Sequence, residues 1–338
     1  MIKTVILSTL AVSLVFSNSL VKQAKDAGLV ALPESIKEIR KLTDNPVNPM
    51  TKAKVELGKM LFFEPRISRS GLISCNTCHN LATGGVDGVA AAIGHKWTAN
   101  PHHLNSPTVY NAVFFDAQFW DGRDPDLEKQ AQGPILAGPE MASTKEHVVN
   151  TVTSMPGYVK AFKKAYGEKV TIDYKKITDT IGLFERTLVT PAPYDDFLNG
   201  NNRALNDKQK KGLKVFIDKG CTSCHSGIAL GGTMREFGVT GKYKYADVGD
   251  FKGNKDGLVK VPTLRNINET APYFHNGAVT TLKEAIVEMG RIQLGLKITD
   301  DEAEAIESFF NALEGEKPAI VYPQLPNPSA TTPAKNVN

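Results

Sequence analysis

The sequence predicts a mostly α-helical protein made of two similar domains in tandem, and three observations carry that prediction. No run of period-two alternation persists long enough to mark a sheet. Two apolar leaders, Leu57-Gly58-Lys59-Met60-Leu61-Phe62-Phe63 and Lys211-Gly212-Leu213-Lys214-Val215-Phe216-Ile217, each precede a Cys-x-x-Cys-His motif. The 338 residues, 41% of them apolar, can also fill two cores at the usual scale of roughly 100–200 residues per domain.

Taken in order, the chain opens with Met1-Ile2-Lys3, an apolar stretch from Thr4 to Phe16, then Ser17 and Ser19. This is the pattern of a signal peptide over 1–19. The stretch falls short of the roughly 20 apolar residues that span a bilayer, and no later segment reaches that length. The expected product is therefore exported and carries no membrane span. Each leader reads as the end of a helix, because Val55, Met60, Phe62 and Phe63 keep one apolar face, as do Leu213, Phe216 and Ile217. Ile172 to Leu188 reads as a further helix. Pro191-Ala192-Pro193 and Asn199-Gly200-Asn201-Asn202 give the strongest break in mid-chain, which sets the domains at 20–195 and 196–338. Asn206-Asp207 supplies capping side chains for the second domain's first helix. The tail after Lys317 is poor in apolar residues and reads as an extended or loose segment.

All four cysteines fall in the two motifs, Cys75-Asn76-Thr77-Cys78-His79 and Cys221-Thr222-Ser223-Cys224-His225. Disulfides are the usual fate of cysteines in an exported chain. They explain neither the repeated spacing nor the histidine after each pair. A thiolate–imidazole zinc site or a redox Cys-x-x-Cys could use these pairs, but neither needs His at the fifth position twice. Covalent haem does: two thiols add to the two vinyl groups, and the next residue sets an imidazole under the iron. The motifs thus predict two covalently bound c-type haems with His79 and His225 as proximal ligands, in two cytochrome c-like haem domains. Attachment outside the cytoplasm agrees with export to the periplasm.

The net charge is +4, from 40 basic and 36 acidic side chains that are scattered rather than gathered in a run. That argues against a nucleic-acid partner.

Several stretches further resemble the bacterial di-haem cytochrome c peroxidase family. In the first half these are Gly84-Gly85-Val86-Asp87-Gly88, Ile93-Gly94-His95-Lys96-Trp97, Asn105-Ser106-Pro107-Thr108-Val109, Phe119-Trp120-Asp121-Gly122-Arg123 and Gly138-Pro139-Glu140-Met141. In the second half they are Val261-Pro262-Thr263-Leu264-Arg265-Asn266, Ala271-Pro272-Tyr273-Phe274-His275-Asn276-Gly277 and Met289-Gly290-Arg291-Ile292-Gln293-Leu294-Gly295. The resemblance implies reduction of hydrogen peroxide with electrons from a small redox donor, such as a monohaem cytochrome c or a cupredoxin. Those electrons would enter at the C-terminal, high-potential haem and pass to the N-terminal, low-potential, peroxidatic one.

On that resemblance His95 is the removable distal ligand of the first haem, on a loop whose glycines Gly84, Gly85, Gly88 and Gly94 would let it swing away. Met289 is the distal ligand of the second haem. There a thioether raises the potential, and the related tryptophylquinone-forming enzymes carry tyrosine instead. Glu140 is the candidate acid/base, and Trp120 lies between the haems. The family also implies a calcium ion held by Asn105 with the carbonyls of Thr270 and Pro272, although the extra Pro101-His102-His103 segment departs from the usual spacing. It implies a homodimer as well. His102, His103, His147 and His275 read as structural or surface residues. Two rival readings remain open in the residues themselves, a di-haem electron carrier without catalysis and a different di-haem oxidase.

Overall fold

The computed structural model describes residues 19–337, so the expected signal peptide lies, except for Ser19, outside the described residues. Seven helices of ten or more residues carry the fold: α1 (Lys52–Phe62), α2 (Lys145–Ser154), α3 (Pro156–Tyr166), α4 (Tyr174–Glu185), α5 (Asp207–Asp218), α6 (Leu282–Leu294) and α7 (Asp300–Phe310). Among the described residues the only sheet is one antiparallel pair, β1 (Met234–Glu236) with β2 (Leu258–Lys260), in register Met234↔Lys260. The mostly helical expectation holds. The helix expected over Ile172 to Leu188 is shorter, because the Asp173 side chain caps it by accepting from the amide of Lys176.

Both leaders end helices, as their patterns predict, and both do the same packing job. In α1, Gly58 lies so close to α4 that a Cβ there would sit 2.2 Å from the carbonyl oxygen of Thr180. In α5, Gly212 faces α7 in the same way, and a Cβ would sit 1.9 Å from the carbonyl oxygen of Ala305. Each glycine brings two helix backbones into contact, a separation that a side chain would forbid. Apolar neighbours then close each core: Leu57, Leu61, Phe62 and Phe184 in the first, Leu213, Phe216, Ile306 and Phe309 in the second.

The two cores part in mid-chain, after Leu188 in the first and before Tyr194 in the second. Each terminus, however, packs on the far core. Residues 20–29, grouped with the first domain by sequence, place Leu20, Ala24 and Leu29 in the second core. The tail after Lys317 is extended as expected but is not loose. Its Ile320 and Leu325 pack on the first core, the Tyr322 ring lies 4.6 Å from that of Phe63, and the Asn336 amide donates to the Arg69 carbonyl.

A buried ion pair locks the junction. Arg265, fully buried, donates through Nη1 and Nη2 to Asp195 at 2.8 and 2.7 Å, and the same carboxylate accepts from the amides of Leu32 and Ala192. Removing one partner of such a pair typically costs about 3–5 kcal/mol.

Candidate haem and active site

In each half a short helical turn presents the cysteines. Ser74 and Thr77 form a capping box around Cys75–Cys78, and the His79 amide closes the turn on the Cys75 carbonyl at 2.9 Å. In the second motif the His225 amide does the same to the Cys221 carbonyl at 3.0 Å. This local winding sets the histidine beside its two thiols.

The rings are oriented alike. His79 Nδ1 lies 3.0 Å from the Pro107 carbonyl, and His225 Nδ1 lies 3.0 Å from the Leu230 carbonyl. A carbonyl fixes Nδ1 as the protonated nitrogen and leaves Nε2 as a lone-pair donor, the tautomer a metal-bound imidazole needs. Burial pushes both imidazoles toward the neutral form, His225 down to about 4. Among the described residues no group of three or more His, Cys, Asp or Glu gathers to hold a metal ion, so the two motifs do not meet in a zinc site.

The second motif opens on a largely apolar chamber. Cys221, Cys224 and His225 line it, as does Met289 from α6, so the expected proximal and distal ligands share one cavity. Apolar lining and ligand set fit a haem. At the first motif, His95 is buried and neither ring nitrogen has a hydrogen-bond partner. A buried imidazole without partners is costly, and it fits a residue whose partner is a metal.

The backbone ties His95 to Glu140. The His95 amide donates to the Glu140 carbonyl at 2.7 Å, and a Cβ on Gly94 would fall 2.0 Å from the Pro139 carbonyl oxygen. Gly94 therefore packs closely against Pro139 and Glu140. Burial raises the Glu140 carboxyl above its usual range, and the Arg123 guanidinium partly offsets this.

Trp120 is buried at the junction of the halves. Its indole Nε1 donates to the Asn105 carbonyl at 2.9 Å, its own carbonyl accepts from the Lys260 amide at 2.8 Å, and its ring lines the second chamber. Asn105, Thr270 and Pro272 line the same chamber. Asn105 Nδ2 donates to the Val89 carbonyl at 2.9 Å, so its Oδ1 keeps its acceptor capacity. Of the remaining histidines, His102 pairs with Asp250 across the extra segment at 3.0 Å, His103 Nδ1 meets the Asn276 carbonyl, and His147 Nε2 meets the Arg66 carbonyl. His275 is buried in the chamber, its ring edge-on to Trp120 with centroids 6.3 Å apart.

A second internal repeat, which sequence reasoning missed, organises these residues. In Pro107-Thr108-Val109-Tyr110-Asn111 and Pro262-Thr263-Leu264-Arg265-Asn266, the threonine Oγ1 accepts from the amide two residues on at 3.1 Å, and each asparagine is left-handed, with φ 61° and 59°. Phe119 to Gly122 and Phe274 to Gly277 form equivalent turns, closed by the bridges Gln118↔Asp124 and Tyr273↔Val279. The turns are exchanged across the junction: Trp120 accepts from Lys260, and His275 accepts from the Asn105 amide at 2.8 Å. The signal was present in the Pro-Thr-x-x-Asn and Phe-x-x-Gly spacings.

Comparison with known proteins agrees with this geometry. The family model for di-haem cytochrome c peroxidases matches residues 52–203. The cytochrome c551 peroxidase of Pseudomonas aeruginosa is 45% identical over 89% of this chain and 88% of its own, and that of Nitrosomonas europaea is 45% identical over 96% and 97%. Among solved structures, a MauG-like protein associated with microbial copper homeostasis aligns at a TM-score of 0.69 and 26% identity, over 81% of this chain and 93% of its own. A tandem of two haem-bearing helical domains defines the class, and within it the chain belongs to the di-haem cytochrome c peroxidase family. The family is named for two haems. Among the described residues no helix is long and apolar enough to cross a membrane.

Proposed function

We propose that this protein is a cytochrome c peroxidase that reduces hydrogen peroxide to two waters, using two electrons and two protons, at its N-terminal haem. The observation that carries the reading is His95: buried, with both ring nitrogens unpartnered, and joined through its backbone to the residue best suited to move a proton. Haem iron, when bound, supplies the redox change and the coordination position at which peroxide reacts. His79 holds that site from the proximal side, with its tautomer fixed by Pro107. His95 closes the distal side and must withdraw before peroxide enters. Glu140 takes the proton from the nearer peroxide oxygen and returns it to the farther one, which then departs as water.

The donor, a monohaem cytochrome c or a cupredoxin, delivers electrons to the C-terminal half. There Met289 and His225 share one chamber, and Trp120 spans the junction toward the first half. Asn105 Oδ1 and the carbonyls of Thr270 and Pro272 supply hard oxygen donors suited to a calcium ion at that junction. The expected setting is the periplasm and the expected assembly a homodimer, both as the family resemblance implies.

Steady-state consumption of peroxide with a reduced monohaem cytochrome c tests this function. Turnover supports it, and its absence both before and after partial reduction of the enzyme favours the electron-carrier reading. His95→Gly tests the gate. If His95 ligates, the oxidised variant is high-spin and turns over without prior reduction. If His95 only packs, the oxidised spectrum and the need for reduction stay as in the parent.

A further inference from the structure

Lys260 closes β2 and is 3% exposed, yet among the described residues no hydrogen bond or ion pair engages its Nζ. The ammonium lies 4.8 Å from the centroid of the Phe115 ring. Of the other buried lysines, Lys54 Nζ donates to Asn48 Oδ1 at 3.0 Å, Lys59 pairs with Glu56 at 2.9 Å, and Lys210 lies over the Phe197 ring at 5.9 Å, away from the chamber. Lys260 instead lines the chamber of His225 beside Trp120. A buried ammonium without an anion is strongly disfavoured, so its surroundings when haem is attached should supply one.

Among the described residues no carboxylate pairs with it, and the charges around it are mixed. On the Trp120 turn, Asp121 attracts Lys260, but that carboxylate is engaged by Arg123 Nη1 at 2.9 and 3.0 Å, and Arg123 itself repels. Arg235 and Glu236 on the paired β1 also line the chamber and are of opposite sign. His79, across the junction, is neutral by burial and feels the Lys260 charge as repulsion. With the protein alone, burial drives the Lys260 ammonium down to about 7, the edge of losing its proton.

The internal repeat places Lys260 where the first half has Asn105: each lies two residues before the Pro-Thr pair, and each donates its amide to the opposite turn. A neutral amide in one half is thus replaced by a long cationic side chain in the other, on the wall of the His225 chamber. Covalent haem carries two carboxylates, the anion this position lacks.

We propose that the Lys260 ammonium is the internal counter-ion of a haem carboxylate in that chamber, and that through this pair it raises the reduction potential of that haem. A nearby positive charge favours the ferrous state, which carries one positive charge fewer than the ferric. The inference rests on haem attachment at both motifs, which haem content and absorbance establish separately.

Spectroelectrochemical titration of both haems in the parent, Lys260→Met, Lys260→Gln and Lys260→Arg tests it. The two neutral variants, with both haems retained, should lower one haem's potential by at least about tenfold in the one-electron equilibrium, or 59 mV. Lys260→Arg should stay close to the parent. Unchanged potentials in either neutral variant overturn the proposal, as does an arginine variant that falls as far as methionine. If both neutral variants lose haem, an arginine variant holding two haems at parental potentials supports the need for charge. Loss of haem from the arginine variant as well makes the position structural and overturns the pairing.

Discussion

Glu140 is half-buried beside the turn that carries His95, and its carboxyl is raised by burial against the pull of Arg123. To accept a proton it must be ionised, so activity is lost as pH falls through its raised value. The acid limb of kcat/KM should therefore lie above the roughly 4.3 of an ordinary glutamate. Glu140→Gln keeps the shape and removes the proton acceptor. The expected result is unchanged spectra, turnover lower by roughly 10²–10⁴-fold, and no such limb in the pH profile. Parental turnover in that variant would remove Glu140 from the mechanism.

Met289 is a second single-residue case, because it shares the His225 chamber and its thioether favours the ferrous state more than an imidazole does. Met289→His should leave both haems attached and lower the second haem's potential, with slower electron entry from the donor. Redox titration checks it, and an unmoved potential would show that another residue ligates.

At the scale of elements, the turn from Gly94 to Trp97 is closely packed against Pro139 and Glu140. Gly94→Ala would drive a Cβ against Pro139 and Glu140 and displace His95 and Glu140 together. The variant should keep two attached haems yet lose most peroxide turnover, with altered ligation of the first haem in its oxidised spectrum. Intact turnover and spectrum would show that the turn yields easily. Much of the element level was legible in the sequence, because helix ends follow from caps and apolar spacing. Asn206, Thr281 and Thr299 each cap through the side chain. The leaders even contained Gly58 and Gly212, though only the structure shows that these residues bring helix backbones together. The sequence left open whether the tail is extended or loose, because composition counts how many apolar residues it has and not where they dock. Ile320 and Leu325 suffice to hold it on the first core.

The molecule as a whole is two related halves joined by reciprocal contacts, with each terminus laid on the opposite core. The two Cys-x-x-Cys-His turns, at Cys75–His79 and Cys221–His225, were legible because their chemistry dictates local spacing. The partnership of Trp120 with Asn105 and Lys260 was not, since hydrogen bonds across 15 residues or more leave no periodic trace. The buried, unpartnered state of His95 was equally invisible, because burial is settled only when the 94–97 turn meets Glu140. On the proposed function, these junction contacts would let two electrons, stored as one per haem, be spent together on one peroxide.

Anaerobic stopped-flow shows whether the first site reduces peroxide with electrons drawn from both haems. The fully reduced protein is mixed with substoichiometric and then equimolar hydrogen peroxide while both haem spectra are followed. One peroxide per chain should return both haems to the ferric state, within the time of a single turnover. Reoxidation of only one haem, or a reaction far slower than turnover, would rule out a two-haem reduction.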